Sequence, residues 1–172
     1  MAFRSEILIK LDKKGRALLP AAYREELRRA LLPAAYRDEL PADDRGAFVL
    51  YHSPNVAGVV NGNSPLGFDG MLDRLRIEAL GAKGALKVAL DDEAFDPAGY
   101  LSASARTVPL EPDGRFTIPA EFAQVLEADD GVMLVGKGDK FQLWNPKRWQ
   151  ARRDADREKM AAFVRSLSAG EP

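Results

Sequence analysis

Leu110-Glu111-Pro112-Asp113-Gly114-Arg115-Phe116-Thr117-Ile118-Pro119 decides the fold, because the chain carries a second version of it. Near the start the sequence reads Leu11-Asp12-Lys13-Lys14-Gly15-Arg16-Ala17-Leu18-Leu19-Pro20. Both copies run leucine, acid, two variable residues, glycine, arginine, a short apolar stretch and proline. Both continue through Ala21 and Tyr23, or Ala120 and Phe122, as far as Leu27 and Leu126. An internal repeat of this length governs the architecture. Each copy reads as strand, turn, strand, helix. The acid, two variable residues and glycine make a tight turn in which glycine supplies a positive φ. Arg16 or Arg115 opens the return strand, and Phe116-Thr117-Ile118 alternates as a half-buried strand does. Pro20 and Pro119 stop the strand and suit the first position of a helix.

Composition bounds the rest. The 172 residues are enough for one compact domain or two small ones. With 46% hydrophobic and 30% charged residues the chain has ordinary globular composition. The lack of cysteine excludes disulfides and thiolate metal sites and fits a reducing cytoplasm. No apolar run is long enough to span a bilayer, and Met1 to Glu6 lack a signal peptide's apolar segment. A formal net charge of −1 argues against a generally basic nucleic-acid binder. Local basic sites are still compatible with it, because the field depends on where the charges sit.

Along the chain, residues 5–11 read as a strand with Ile7, Ile9 and Leu11 on one face. Ala17 to Leu27 is then repeated almost word for word as Ala30 to Leu40, with a period of 13 residues. One continuous helix through both copies would set the second apolar stripe roughly 220° from the first. It would also enclose Pro33, at about 3 kcal/mol. The reading is a local tandem duplication, one copy filling the strand–helix slot and the other adding a turn or two of helix broken at Leu32-Pro33. Beyond it, Ala47 to Leu50 aligns best with Val132 to Val135, an offset of 85 against 99 for the earlier part. Pro41 to Gly46 reads as a loop, Phe48 to Tyr51 as a strand, and Asn55 to Gly67 as turns. Met71 to Leu80 reads as an amphipathic helix ended by Gly81 to Gly84. Ala85 to Leu90 is ambiguous, Asp91 to Gly99 turn-like, and residues 100–110 a strand. Val132 to Val135 and Phe141 to Trp144 read as strands. Asn145 and Pro146 then cap a last helix whose Met160, Phe163, Val164 and Leu167 share a stripe.

These segments resemble the MraZ family of the swapped-hairpin, AbrB-like bacterial transcription regulators. The likeness is carried by Asp12-Lys13-Lys14-Gly15-Arg16 before Pro20, by Gly114 to Pro119, by Val135-Gly136-Lys137-Gly138, and by Phe141-Gln142-Leu143-Trp144-Asn145-Pro146-Lys147-Arg148-Trp149. It covers nearly the whole chain. The resemblance implies an α+β fold of two tandem AbrB-like β-β-α-β units with flanking helices. The first would span 1–84, with the duplication at 17–42, and the second 100–172. It further implies a ring-shaped homo-oligomer and sequence-specific binding to double-stranded DNA at promoter direct repeats. The expected role is a repressor upstream of a cell-division and cell-wall gene cluster, cytoplasmic and nucleoid-associated. The alternative is a ring-forming scaffold or protein-interaction module without specific DNA binding. Two features depart from the family pattern: Glu111-Pro112 in the second turn and the 13-residue duplication.

On this reading Lys13, Lys14, Arg16 and Arg115 are the DNA candidates. Arginine suits bidentate contact with guanine and lysine suits phosphate. Asp12, Gly15, Glu111 and Gly114 shape the turns, the acids orienting the arginines through charge-assisted bonds. The competing reading makes each acid and arginine a structural pair closing its turn. Trp144 and Trp149 read as core or interface aromatics in preference to ligand platforms, with Phe141, Leu143 and Trp144 as places to look for subunit packing or core. His52 lacks the partners of a triad or metal site. Gly136-Lys137-Gly138 lacks the spacing of a phosphate loop. Asp91-Asp92-Glu93 with Asp96 reads as a solvated loop, and Arg148, Arg152, Arg153 and Arg157 as a solvated helix face. The sequence implies no enzyme, cofactor or metal.

Overall fold

The computed structural model describes residues 2–30 and 46–170. The second copy of the short duplication, with Pro33, and nearly all of the expected loop from Pro41 lie outside the described residues. The first repeat supplies β1 (Glu6–Lys10), β2 (Arg16–Leu18), α1 (Ala21–Ala30), β3 (Ala47–His52) and β4 (Val59–Asn63). The second supplies β5 (Arg106–Pro109), β6 (Arg115–Thr117), α5 (Ala120–Leu126), β7 (Gly131–Gly136) and β8 (Phe141–Trp144), then α6 (Pro146–Ala169). Between them lie α2 (Pro65–Arg74), a π-helical segment Leu75–Leu80, α3 (Gly81–Leu90) and α4 (Pro97–Ser104). No helix among the described residues is long and apolar enough to cross a membrane.

The fold is α+β, and its hairpins are exchanged between the repeats. The strands flanking each turn do not pair with each other. β1 pairs antiparallel with β7, β3 with β5, and β2 with β6. The result is one six-stranded sheet, β1-β7-β8-β4-β3-β5, and one two-stranded ribbon, β2-β6. The pairs Val49–Asn63 and Met133–Trp144 are equivalent, as are Val60–Leu143 and Gly62–Phe141. A pseudo-twofold axis therefore passes between Asn61 and Gln142, which face each other in the two central strands.

The repeat is written into the core. Ile9, Ala17, Leu19, Tyr23 and Leu27 are buried, and so are their counterparts Val108, Phe116, Ile118, Phe122 and Leu126. They close the ribbon, α1 and α5 over one face of the sheet, with Phe48, Val60, Phe141 and Leu143. Burial of each large side chain contributes about 1.5–3 kcal/mol. The opposite sheet face carries two smaller clusters. One joins Val49 and Tyr51 to α2 and α4, and the other joins Val59, Val135 and Trp144 to Trp149 of α6.

Several sequence expectations are corrected. Asn55 to Gly67 contains β4, a central strand with every residue buried. Its Asn61-Gly62-Asn63 reads as turn chemistry, yet a Cβ at Gly62 would collide with the Phe141 ring across the sheet. The helix expected from Met71 starts six residues earlier, at Pro65, where the Ser64 side chain accepts from the Gly67 amide at 3.0 Å. Gly81 does not end the helical region: it takes φ +67 and α3 begins there. Residues 97–104 are helix, and the strand begins only at Arg106. Pro20 and Pro119 stand one residue before α1 and α5. The offset between β3 and β7 is 84, not 85, since Phe48 and Val132 occupy equivalent places opposite Val108 and Ile9. A one-residue slip would have exchanged the faces of the strand. Phe141, Leu143 and Trp144 are buried within the chain.

Candidate nucleic-acid interface

The ribbon presents the two arginines together. In its antiparallel register Arg16 faces Thr117, Ala17 faces Phe116, and Leu18 faces Arg115. Alternation sends Ala17 and Phe116 into the core. Arg16, Leu18, Arg115 and Thr117 therefore share the outward face, with the arginines on opposite strands at its two ends. Each return strand is also locked to the other repeat's turn. Leu19 N–H donates to Gly114 O and Ile118 N–H to Gly15 O, both at 3.0 Å.

The first turn is organised by Asp12. Its carboxylate accepts from the backbone N–H of Lys14 at 2.8 Å and of Arg16 at 2.9 Å, and from Arg16 Nε at 2.9 Å. The Arg16 backbone N–H, then the Arg16 side chain, hold the Asp12 carboxyl below its ordinary value, and the bond to Asp12 raises Arg16. Because Asp12 engages only Nε, both terminal nitrogens of Arg16 are without an acceptor among the described residues. Lys13 and Lys14 are exposed at the tip. Gly15 has φ +74, and a Cβ there would meet only Ile118 O, at 3.9 Å.

The second turn keeps the backbone and changes the side-chain partner. Glu111 N–H donates to Arg115 O and Gly114 N–H to Glu111 O, both at 2.8 Å. Glu111 thus shapes the turn through its peptide groups. The carboxylate beside Arg115 is that of Asp113, which accepts from the Arg115 backbone N–H at 3.1 Å and lies 3.6 Å from its guanidinium.

One residue escaped the sequence reading. The Arg24 side chain of α1 lies over Gly114, so that a Cβ there would fall 2.6 Å from Arg24 Cδ. Arg24 Nε is buried without a hydrogen-bond partner among the described residues. The first repeat therefore lends a cation to the turn that lacks the lysine pair. The signal was present in the repeat alignment, where Arg24 corresponds to Ala123, but its target becomes visible only once the hairpins are exchanged.

The other candidates find structural places. Trp144 and Trp149 are buried against each other with ring centroids 5.4 Å apart. His52 lies edge-on to Phe122 at 4.8 Å. Arg148 and Arg153 are more than a solvated face: Arg148 donates to Val125 O at 3.1 Å and pairs with Glu127, and Arg153 pairs with Glu6. Among the described residues no group of His, Asp and Glu is placed to hold a metal ion.

Chemically, a two-stranded ribbon is narrow enough for the major groove, where arginine can take both acceptors of guanine and an apolar side chain can meet a thymine methyl. Residues 101–165 match the family model described as "MraZ protein, putative antitoxin-like". The chain is 30% identical over 154 residues to a protein of Pseudomonas syringae pv. syringae named "Transcriptional regulator MraZ", covering 90% of this chain and 87% of that one. It is 29% identical over 168 residues to the protein of the same name from Azorhizobium caulinodans, covering 98% and 92%. The likeness spans both repeats and both turns, and the chain belongs to the MraZ family.

Proposed function

We propose that this chain is a sequence-specific DNA-binding regulator that grips the major groove with the outward face of the β2–β6 ribbon. Family membership makes it a transcriptional regulator and not an enzyme. The observation that carries the DNA reading is the shared face of Arg16, Leu18, Arg115 and Thr117. The terminal nitrogens of Arg16 support it, as does the Arg24 cation beside the second turn. In this reading Lys13 and Lys14 contact phosphate, and Asp12 and the Glu111 peptide groups hold the arginines in place.

One ribbon offers few contacts, and a chain of net charge −1 gains little from its overall field at physiological salt. Binding therefore depends on assembly into a homo-oligomeric ring in which neighbouring subunits present the ribbon at regular intervals to promoter direct repeats. The second contact then becomes intramolecular, and avidity exceeds single-site affinity by roughly 10²–10⁴. In this reading the regulator acts in the cytoplasm, associated with the nucleoid, as a repressor of a cell-division and cell-wall gene cluster. A gel shift on one-repeat, two-repeat and half-turn-shifted duplexes tests it. The two-repeat probe should bind far more tightly, and equal affinity for all three would overturn it.

The second reading is a ring-forming scaffold without specific DNA binding. The pairing of Asp113 with Arg115 favours it, as do the exposed apolar residues Ile77, Leu86, Leu90 and Phe95 and the α6 stripe. The same gel shift separates the two.

A further inference from the structure

On the sheet face opposite the ribbon, where the pseudo-twofold axis emerges, there is a cleft of about 330 Å³ that includes Asn61, Gln142, Trp144, Lys137, Lys140 and Arg152 in its lining. Its position follows from strand alternation. Val60, Phe141 and Leu143 face the core beneath the ribbon, so Asn61, Gln142 and Trp144 face the other way.

The hydrogen bonds at its floor run in one direction, and the indole sets that direction. An indole N–H can only donate. Trp144 Nε1 donates to Gln142 Oε1 at 2.9 Å, which leaves the Gln142 amide nitrogen as donor, and that nitrogen meets Asn61 Oδ1 at 2.9 Å. The relay ends on Asn61 Nδ2, and no described residue accepts from it. Asn61 lines the cleft and is only 2% exposed as a residue, and its amide nitrogen opens to the cleft, where an entering acceptor can meet it. Lys137, Lys140 and Arg152 line the same cleft. Lys137 lies 5.2 Å from the Trp149 ring and Arg152 5.9 Å from that of Trp144. Both carboxylate oxygens of Asp156 accept from Arg152 Nε, at 3.0 and 3.1 Å, and the terminal nitrogens have no acceptor among the described residues. Asp139, between the two lysines in sequence, is not among the lining residues.

We infer that this cleft binds a phosphate-bearing small molecule. A neutral amide donor opening into a cleft lined by two lysines and an arginine suits a compact oxyanion, and the volume falls in the range of small-molecule sites, about 300–1,000 Å³. DNA held on the ribbon lies on the far side of the sheet, so a backbone phosphate of that duplex does not reach the cleft. The site is separate from the proposed DNA surface, and its test does not depend on DNA binding.

Both tryptophans of the chain, Trp144 and Trp149, report on the cleft. Their fluorescence is followed in the intact protein at constant ionic strength against inorganic phosphate, ribose 5-phosphate, adenosine monophosphate and unphosphorylated adenosine. The expected result is a saturable change with one or more phosphate compounds at millimolar concentration or below, and none with adenosine or added chloride. Which compound binds tightest distinguishes free phosphate from a phosphorylated sugar or nucleotide. Asn61→Asp keeps the acceptor for Gln142 and removes the terminal donor. Lys140→Ala removes a cation outside the packed core. Each should weaken binding by about tenfold or more, and Lys140→Ala decides if Asn61→Asp does not fold. No saturable change, an equal response to adenosine or chloride, undiminished binding in the folded variants, or a response to duplex DNA alone would overturn the assignment.

Discussion

Arg24 of the first repeat covers Gly114 of the second, with 2.6 Å between Arg24 Cδ and the place a Cβ would occupy. The equivalent turn glycine, Gly15, has only Ile118 O within reach, at 3.9 Å. The two glycines share a left-handed backbone, φ +86 and φ +74, but only one lies beneath a cation.

Substituting them should separate backbone strain from charge placement. Gly15→Ala and Gly114→Ala each pay about 1–2 kcal/mol for the left-handed conformation, seen as similar losses in denaturant melts. Only Gly114→Ala pushes Arg24 off the second turn. It should therefore weaken DNA binding beyond Gly15→Ala at matched stability, and Arg24→Ala should reproduce that extra loss without the strain. Identical DNA affinities for the two alanine variants would argue against a role for Arg24.

Acid should loosen the first turn. Asp12 is held below its ordinary value of 3.8, first by the Arg16 backbone N–H and then by the Arg16 side chain. A carboxylate depressed on folding contributes stability above its unfolded value and loses it as pH falls through the folded one. Melting temperature should therefore drop as pH falls below 3.8, and the drop should be smaller in Asp12→Asn. The asparagine Oδ1 still accepts from Lys14 and Arg16, so the turn itself persists. Parallel melting curves for wild type and variant across this range would show that Asp12 contributes nothing to acid sensitivity.

The short duplication should be dispensable. Leu19, Tyr23 and Leu27, all from its first copy, fill the places that Ile118, Phe122 and Leu126 fill in the second repeat. The offset falls from 99 to 84 across this region, a loss of 15 that equals the 13-residue period plus two. Deleting Ala30 to Ala42 joins Arg29 to Asp43 and leaves six residues between Leu27 and Ala47, where the second repeat uses four between Leu126 and Gly131. Circular dichroism and light scattering should show an unchanged fold and oligomer, and an unfolded deletion variant would make the extra copy structural.

Much of this was legible before any coordinates. Glycine and arginine at fixed positions announce the turns, and Phe141 to Trp144 followed by Asn145-Pro146 announces a strand and a capped helix; α6 starts at Pro146 with Asn145 accepting from Lys147 and Arg148. What failed to show was set by distant partners. β4 carries Asn61 and Gly62 at the pseudo-axis, where Asn61 meets Gln142 and Gly62 makes room for Phe141, and Asn63 beyond it accepts from the Tyr51 hydroxyl. The run Ala47-Phe48-Val49-Leu50 is apolar at every position, so its face is fixed by pairing with β4 and β5 and not by pattern. Arg24 looks like one more charge on an amphipathic helix until the exchanged ribbon brings Gly114 beneath it. Arg16 and Arg115 could be singled out as candidates from sequence, but their common face depends on a register between strands about 100 residues apart.

The central claim is that the outward face of the ribbon holds DNA. The most direct measurement is fluorescence anisotropy of a two-repeat promoter duplex titrated with wild type, Arg16→Ala, Arg115→Ala and the double variant, at two salt concentrations, with melting temperature and light scattering on each protein. Each single substitution should cost roughly tenfold to a hundredfold in affinity and the double more, while the melting temperatures and oligomers stay close to wild type. Undiminished binding by a folded, correctly assembled double variant would contradict the account, as would a steep fall in melting temperature that makes these arginines structural.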